Sequence, residues 1–265
     1  MNGWKVSGLR RPVYLVPVVL VAVLALIVGA APREAWVQDD DCSSSGGPAV
    51  KLPEAKLIIE HNATDEDTGF HGLFDGVNWT KLCVYDPHGV QILVVEPKGQ
   101  LREQSISGIF FESAEPPNAE VSISEFLSRF PEGQYPVRGR AKDGRRLTGA
   151  ARFTHTIPAA PVITQPQDGG VVDASNLEVK WNPVTTTLDG KPLNPTGYQV
   201  IITKDVKDDP HGFSRPTFDV HVLPSVTSLT VSKEFLEPNT TYELEVLALE
   251  TSGNQTISVL FFQTE

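Results

Sequence analysis

The densest run of groups able to do chemistry is Glu60-His61-Asn62-Ala63-Thr64-Asp65-Glu66-Asp67-Thr68-Gly69, with His71 and Asp75 just beyond it. Asp65-x-Asp67-x-Gly69 sets two carboxylates within one turn and a glycine where the chain can bend. Calcium takes about six to eight oxygens at such turns, so Asp65, Asp67 and Asp75 are candidate calcium ligands. The match is partial. An EF-hand loop needs a bidentate acid about twelve positions from its first Asp, and Asn78-Trp79 stands near that distance from Asp65. A solvated acidic loop is the simpler account of the same residues. His61 and His71 could join those acids around a transition metal, but they are not spaced as two ligands on one helical turn and are expected as free surface histidines. Trp79 follows the acidic run and is a candidate platform for a sugar ring or a protein partner. An isolated aromatic at a strand start is, however, more often packed than binding.

Other chemistries find little support. Gly-x-Ser-x-Gly, a P-loop and a Gly-x-Gly-x-x-Gly fingerprint are absent. Carboxylates are plentiful, with 33 Asp and Glu against 22 Lys and Arg, and that abundance gives a glycosidase-type pair no specificity. A net charge of −11 argues against general nucleic-acid binding, which needs a cationic surface. Two cysteines cannot complete a zinc site unaided. Cys42 lies in a Ser/Gly/Asp tract without a lipobox. Cys83 lies in an expected strand, where a thiol often acts as a small hydrophobe. Export permits a Cys42–Cys83 disulfide, yet the buried-thiol reading is preferred. Asn62, Asn78, Asn239 and Asn254 each open an Asn-x-Thr glycosylation pattern, which also occurs naturally at strand ends.

The elements that would hold these groups are short strands. Met1–Arg11 carries three basic residues, and the charge-free run Pro12–Pro32 follows. Residues 1–31 therefore read as a signal peptide, cleaved after Ala30, or as an uncleaved membrane anchor. Either exports the rest, to the cell envelope or outside the cell. Residues 32–54, rich in Asp, Ser, Gly and Pro, read as a linker. From Ala55, apolar runs alternate with turn chemistry such as Asp86-Pro87-His88-Gly89 and Lys142-Asp143-Gly144. Expected strands are Lys56–Glu60, Lys81–Tyr85, Gln91–Glu96, Ser107–Glu112, Tyr135–Ala141 and Ala150–Thr156. Ser122 and Glu125 form a capping box that opens one short helix. Ile157-Pro158-Ala159-Ala160-Pro161 closes this unit. Seven further strands are expected: Val162–Gln165, Leu177–Trp181, Tyr198–Lys204, Thr217–Leu223, Ser228–Val231, Thr241–Leu249 and Ile257–Gln263. The fold class is thus all-β, with two tandem Ig-like sandwiches at residues 55–157 and 158–265.

Both halves repeat one device. Glu125-Phe126-Leu127 precedes Pro131 and Tyr135; Glu234-Phe235-Leu236 precedes Pro238 and Tyr242. A tyrosine four residues after the proline, where a strand begins, is the tyrosine-corner pattern. Residues 161–265 resemble a fibronectin type III domain. Pro161 stands where such domains begin, and Trp181 fits the core tryptophan of the second strand. Tyr198 fits the aromatic opening the third. Leu236-Glu237-Pro238-Asn239-Thr240-Thr241-Tyr242, followed by Val246 and Ala248, resembles the family's Leu-x-Pro-x-Thr-x-Tyr signature. The long connection Asn182–Gly197 departs from it. Residues 55–157 are similar only in their final third.

The resulting expectation is a non-enzymatic, exported module that spaces or binds a protein or glycan. It would bind through loops such as Ala63–Val77 and Asn182–Gly197, would need no cofactor, and would touch a membrane only through residues 12–31 if these are retained. The alternatives are a calcium-assisted carbohydrate-binding protein built on Asp65–Asp75 and Trp79, and a hydrolase with its site in the first sandwich.

Overall fold

The computed structural model describes residues 42, 48–207, 211 and 214–265. The expected signal or anchor and most of the expected linker lie outside the described residues. The linker reading fails at its described end. β1 (Ala49–Lys51) pairs in parallel with β7 (Arg146–Phe153), and Leu52 is buried. A single leucine, covered only once β7 is in place, left no periodic signal in the sequence.

β2 (Glu54–Asn62) alternates cleanly, with Leu57, Ile59 and His61 buried and Lys56, Ile58 and Glu60 on the other face. β3 (Asp67–Tyr85) runs for 19 residues. Its first half pairs with β2 and β5 (Ile106–Glu112); its second half pairs with β4 (Gln91–Val95) and β6 (Gly133–Ala141). The change of partner falls at Gly76, where φ is +137° and a Cβ would collide with the Pro53 ring. Register shifts flank Trp79. Such bulges bend a strand from one layer to the other. One strand thereby serves both layers, around a core that includes Leu57, Phe70, Phe74, Trp79, Val137 and Phe153.

α1 (Gly99–Gln104) was not expected. α2 (Ile123–Arg129) is capped by Ser122, whose hydroxyl accepts from the Glu125 N–H at 3.2 Å, and it buries Phe126.

The second body comprises β8 (Ile163–Gln165), β9 (Gly170–Val172), β10 (Glu178–Trp181), β11 (Gly197–Lys204), β12 (Thr217–Val222), β13 (Ser228–Thr230), β14 (Thr241–Leu249) and β15 (Gln255–Thr264). β13-β10-β8 form one layer, and β12-β11-β14-β15 form the other, with β9 against the end of β15. Trp181 packs edge-on against Tyr198 inside it, ring centroids 5.4 Å apart.

Both corner tyrosines are fully buried. The Tyr135 hydroxyl donates to the Pro131 carbonyl at 2.9 Å, whereas the Tyr242 hydroxyl accepts from the Glu237 N–H at 2.8 Å. The sequence device is shared, but the hydroxyl plays opposite roles.

The two bodies share one continuous sheet, β1-β7-β6-β3-β2-β15-β14-β11-β12. The start of β15 pairs in parallel with the end of β2, Gln255 opposite Glu60 and Ile257 opposite Asn62. Asn254, fully buried, pins this joint. Its Oδ1 accepts from the Ile59 N–H at 2.8 Å, and its Nδ2 donates to the Thr154 and Thr156 carbonyls at 2.9 and 2.8 Å. The Thr256 hydroxyl reaches the Pro158 carbonyl at 2.6 Å, and that of Ser258 reaches Pro161 at 2.7 Å. The connection Asn182–Gly197 is tied to the same junction, through Ala159 N–H to the Thr186 carbonyl and Leu188 N–H to the Ile157 carbonyl.

Cys42 and Cys83 form a disulfide with a Cα–Cα distance of 6.3 Å, which corrects the buried-thiol expectation. Leu82 and Val84 enter the main core, so strand alternation turns Cys83 and Tyr85 to the opposite face. There Cys42 covers them, and the Arg138 guanidinium lies 4.8 Å from the Tyr85 ring centre.

Candidate functional site

The acidic run does not form the expected loop. Only residues 63–66 make a turn; from Asp67 the chain is strand, with Thr68, Phe70, His71 and Phe74 buried. Asp67 and Asp75 are eight positions apart on β3, about 26 Å at the rise of an extended strand. They cannot share one calcium ion. Asp65 accepts from the Asn62 amide at 2.9 Å, and Asp75 caps the Gly76 N–H at 2.7 Å. Trp79 is fully buried in the first core, so it offers no platform to a ligand. Its indole N–H, like that of Trp181, has no hydrogen-bond partner. Ala63–Val77 is therefore not a binding loop, and the calcium-and-sugar alternative loses both of its supports.

His61 and His71 are also corrected: both are buried. β2 and β3 are antiparallel neighbours, so strand alternation sends the two imidazoles to opposite faces. His61 points inward, where its Nδ1 lies 2.9 Å from the Asp67 carbonyl and 3.1 Å from the Thr68 hydroxyl. Burial pushes its pKa down. His71 points outward and lies opposite Ile58 on β2 and Glu112 on β5.

Around His71 two carboxylates converge. The Glu115 Oε1 is 2.6 Å from its Nε2, and the Glu60 Oε2 is 3.8 Å from its Nδ1. Glu60 is sited by strand alternation and accepts from the Gln255 amide of the second body. Glu115 comes from the segment after β5, which β3 clamps: the Ser113 N–H donates to the Phe70 carbonyl, and its hydroxyl accepts from the Phe70 N–H. Gly69 lies opposite Glu60 and leaves room for this arrangement. A Cβ there would sit on the Glu115 Oε1 and 2.9 Å from the His71 Nε2.

A cleft of about 450 Å³ opens beside the trio, walled by Ile58, Leu73, Phe110 and Glu112 of the first body and by Gln199 and Gln255 of the second. It straddles the joint. Phe110 is more than half exposed and stands edge-on to His71, centroids 5.9 Å apart. Burial raises the Glu60 pKa; His71 opposes that shift, and Glu115 and Glu112 add to it. Burial, then Glu243 and Glu60, push the Glu245 carboxyl on β14 up to about 7.

Glu245 therefore has a pH signature. Its folded pKa lies above its unfolded value of 4.5, so the folded chain holds a proton that the unfolded chain releases between pH 4.5 and about 7. Stability falls as pH rises through that window. Glu245→Gln removes this slope and gains about 1–2 kcal/mol at pH 8 relative to pH 4.5, allowing for solvent screening. Melting curves of both proteins from pH 4.5 to 8 check this. The His61 shift runs the other way in both, so the difference between the curves isolates Glu245.

Only part of the site was legible. The sequence singled out the stretch containing Glu60 and His71, but as loop chemistry. It missed Glu115, 44 residues from His71. The glycosylation pattern at Asn254-Gln255-Thr256 is closed, since Asn254 and Thr256 have no exposed surface. No helix among the described residues is long and apolar enough to cross a membrane.

No family model and no curated protein matches this sequence. Solved structures similar to it are fibronectin type III domains. The chicken CNTN1 FN1–FN3 domains are 14% identical, covering 82% of this chain and 66% of that one, with a TM-score of 0.29. The fn3 domain of the human collagen alpha-1(XX) chain is 13% identical, covering 42% and 85%, with a TM-score of 0.29. The third fibronectin III domain of the human KIAA0343 protein is 22% identical, with the same coverage and a TM-score of 0.30. These likenesses concern fold alone, and the all-β class rests on the strand pairing itself.

Proposed function

We propose that this chain is an exported, non-enzymatic β-sandwich module that spaces or binds a protein or glycan at the cell envelope or outside it. The observation that carries this reading is the joint. A sheet running through both bodies, pinned by a fully buried Asn254, holds two sandwiches in one fixed relation. A spacer or presenting module needs that stiffness. The Cys42–Cys83 bridge supports export, because such bonds persist in oxidising compartments. The binding surface is the connection Asn182–Gly197, where Leu188 is exposed beside Asp189 and Lys191.

The test is capture of envelope components on the immobilised full chain, against a variant with residues 188–191 replaced by Ser-Gly-Gly-Ser. The expected result is a protein or glycan retained by the wild type and lost by the variant. Identical retention by both overturns the assignment of the surface. Chain found in the cytosol with both thiols free to alkylation overturns export.

One observation favours a second reading, a hydrolase acting in the first body: acids converge on a cleft, with the Glu60 carboxyl raised by burial. Turnover of a chromogenic glycoside or ester, abolished by Glu60→Gln, would decide for it.

A further inference from the structure

The trio at the joint is not needed by the spacer reading, and its chemistry is specific. Glu60, His71 and Glu115 each offer one ligand atom, and these atoms lie within 4.8 Å of one another. Among the described residues no other such group of His, Cys, Asp or Glu occurs. We propose that Glu60, His71 and Glu115 bind a divalent transition-metal ion of the zinc class at the cleft that joins the two bodies.

The donor set carries the choice of ion. One imidazole nitrogen with two carboxylate oxygens suits zinc, which takes four ligands and accepts N and O donors. Calcium wants about six to eight oxygens and has no use for an imidazole. Three protein ligands leave one position of a tetrahedral set for a further ligand.

Three features of the frame fit such an ion. The first is space. Gly69 presents a bare Cα where a side chain would displace Glu115 and crowd the His71 Nε2. The φ of Gly69 is not in the left-handed region, so close approach and not backbone conformation is what calls for glycine there. The second is orientation. Gln255 holds Glu60 by its side-chain amide, and the Ser113–Phe70 clamp fixes the segment bearing Glu115. Partners behind the ligands are what set ligand geometry in metal sites. The third is charge. Glu60 and Glu115 converge on the His71 imidazole, and Glu112 lies opposite it on β5. A dication offsets the repulsion among these carboxylates.

Binding changes one bond. The contact between the His71 Nε2 and the Glu115 Oε1, 2.6 Å long, gives way to a bond from each of these atoms to the ion.

The experiment uses the full exported chain, stripped with chelator and dialysed at pH 7.5, with zinc, manganese or calcium chloride as the probe. Calorimetry should give one zinc per chain, and a hundredfold excess over Kd should raise Tm by roughly 5–10 °C. Calcium should give no shift. His71→Gln and Glu115→Gln should each weaken zinc at least tenfold. Glu115 is partly exposed, so its variant keeps the fold and separates lost ligation from lost folding. Gly69→Ala should weaken zinc similarly, with every ligand still in the sequence. Absence of zinc binding by the wild type overturns the proposal. So does zinc binding that Glu115→Gln leaves unchanged, which would place the ion elsewhere. A calcium shift as large as that of zinc overturns the donor assignment.

Discussion

Asn254→Ala is expected to cost about 3 kcal/mol and to uncouple the two sandwiches. The side chain makes three bonds across the joint, a buried one to the Ile59 N–H and two partly buried ones to the Thr154 and Thr156 carbonyls. Truncation leaves one backbone donor and two acceptors without partners. Each unsatisfied buried group costs about 1–3 kcal/mol, and partial hydration of the new cavity keeps the sum below simple addition. The second effect follows from position. β15 reaches β2 through three register pairs, too few to hold an edge without the amide beside them. The wild type should unfold in urea as one transition. In the variant the first body's transition should separate from that of the second, with amide exchange at Leu57 and Ile59 compared with that at Leu244 and Val246. A single transition shifted by less than about 1 kcal/mol would mean that the strand pairing and the other bonds of the joint couple the bodies without Asn254.

Cys42→Ala comes next in size. The bond closes a loop with a sequence separation of 41. In the chain-entropy account, opening a loop of that length releases about 3–4 kcal/mol of constraint on the unfolded state. The packing lost with it is modest, because Cys42 belongs to a small outer cluster with Cys83 and Tyr85 and not to the main core. Urea titration of the variant should show the loss, and reducing the wild type with dithiothreitol should reproduce it. A fall below about 1 kcal/mol would mean that the reduced chain already holds the N-terminal segment in place. Zinc binding at Glu60, His71 and Glu115 should survive reduction, since no cysteine contributes to that site.

The sequence was most informative where a signal is local. Tyr242-Glu243-Leu244-Glu245-Val246 alternates, and β14 buries Tyr242, Leu244 and Val246. Ser122 and Glu125 mark a capping box, and Ser122 caps α2. Locality also explains the errors. Asp65-Glu66-Asp67-Thr68-Gly69 looks like a loop because acids and glycines are rare in strands. In the fold, Asp67 sits at a strand end and Gly69 makes room for a side chain from a distant segment. Thr68, Phe70 and Phe74 did carry an inward alternation, which the acidic and glycine residues between them obscured. The same rule, applied to Leu82-Cys83-Val84, places Cys83 on the outer face, open to a bridge.

What the sequence determined by itself was therefore the all-β class, the strands of the second body other than β9, the short capped helix and the buried tyrosines at positions 135 and 242. These depend on period-two burial and on turn and cap residues within a few positions of one another. Tertiary structure alone decided that β3 serves two layers, that β15 joins β2, that Trp79 is enclosed, and that Glu115 meets His71 and Glu60. Each of those depends on which strand edges meet and at what register. Edge pairing is made by backbone groups that every residue carries, so it leaves no mark in side-chain order.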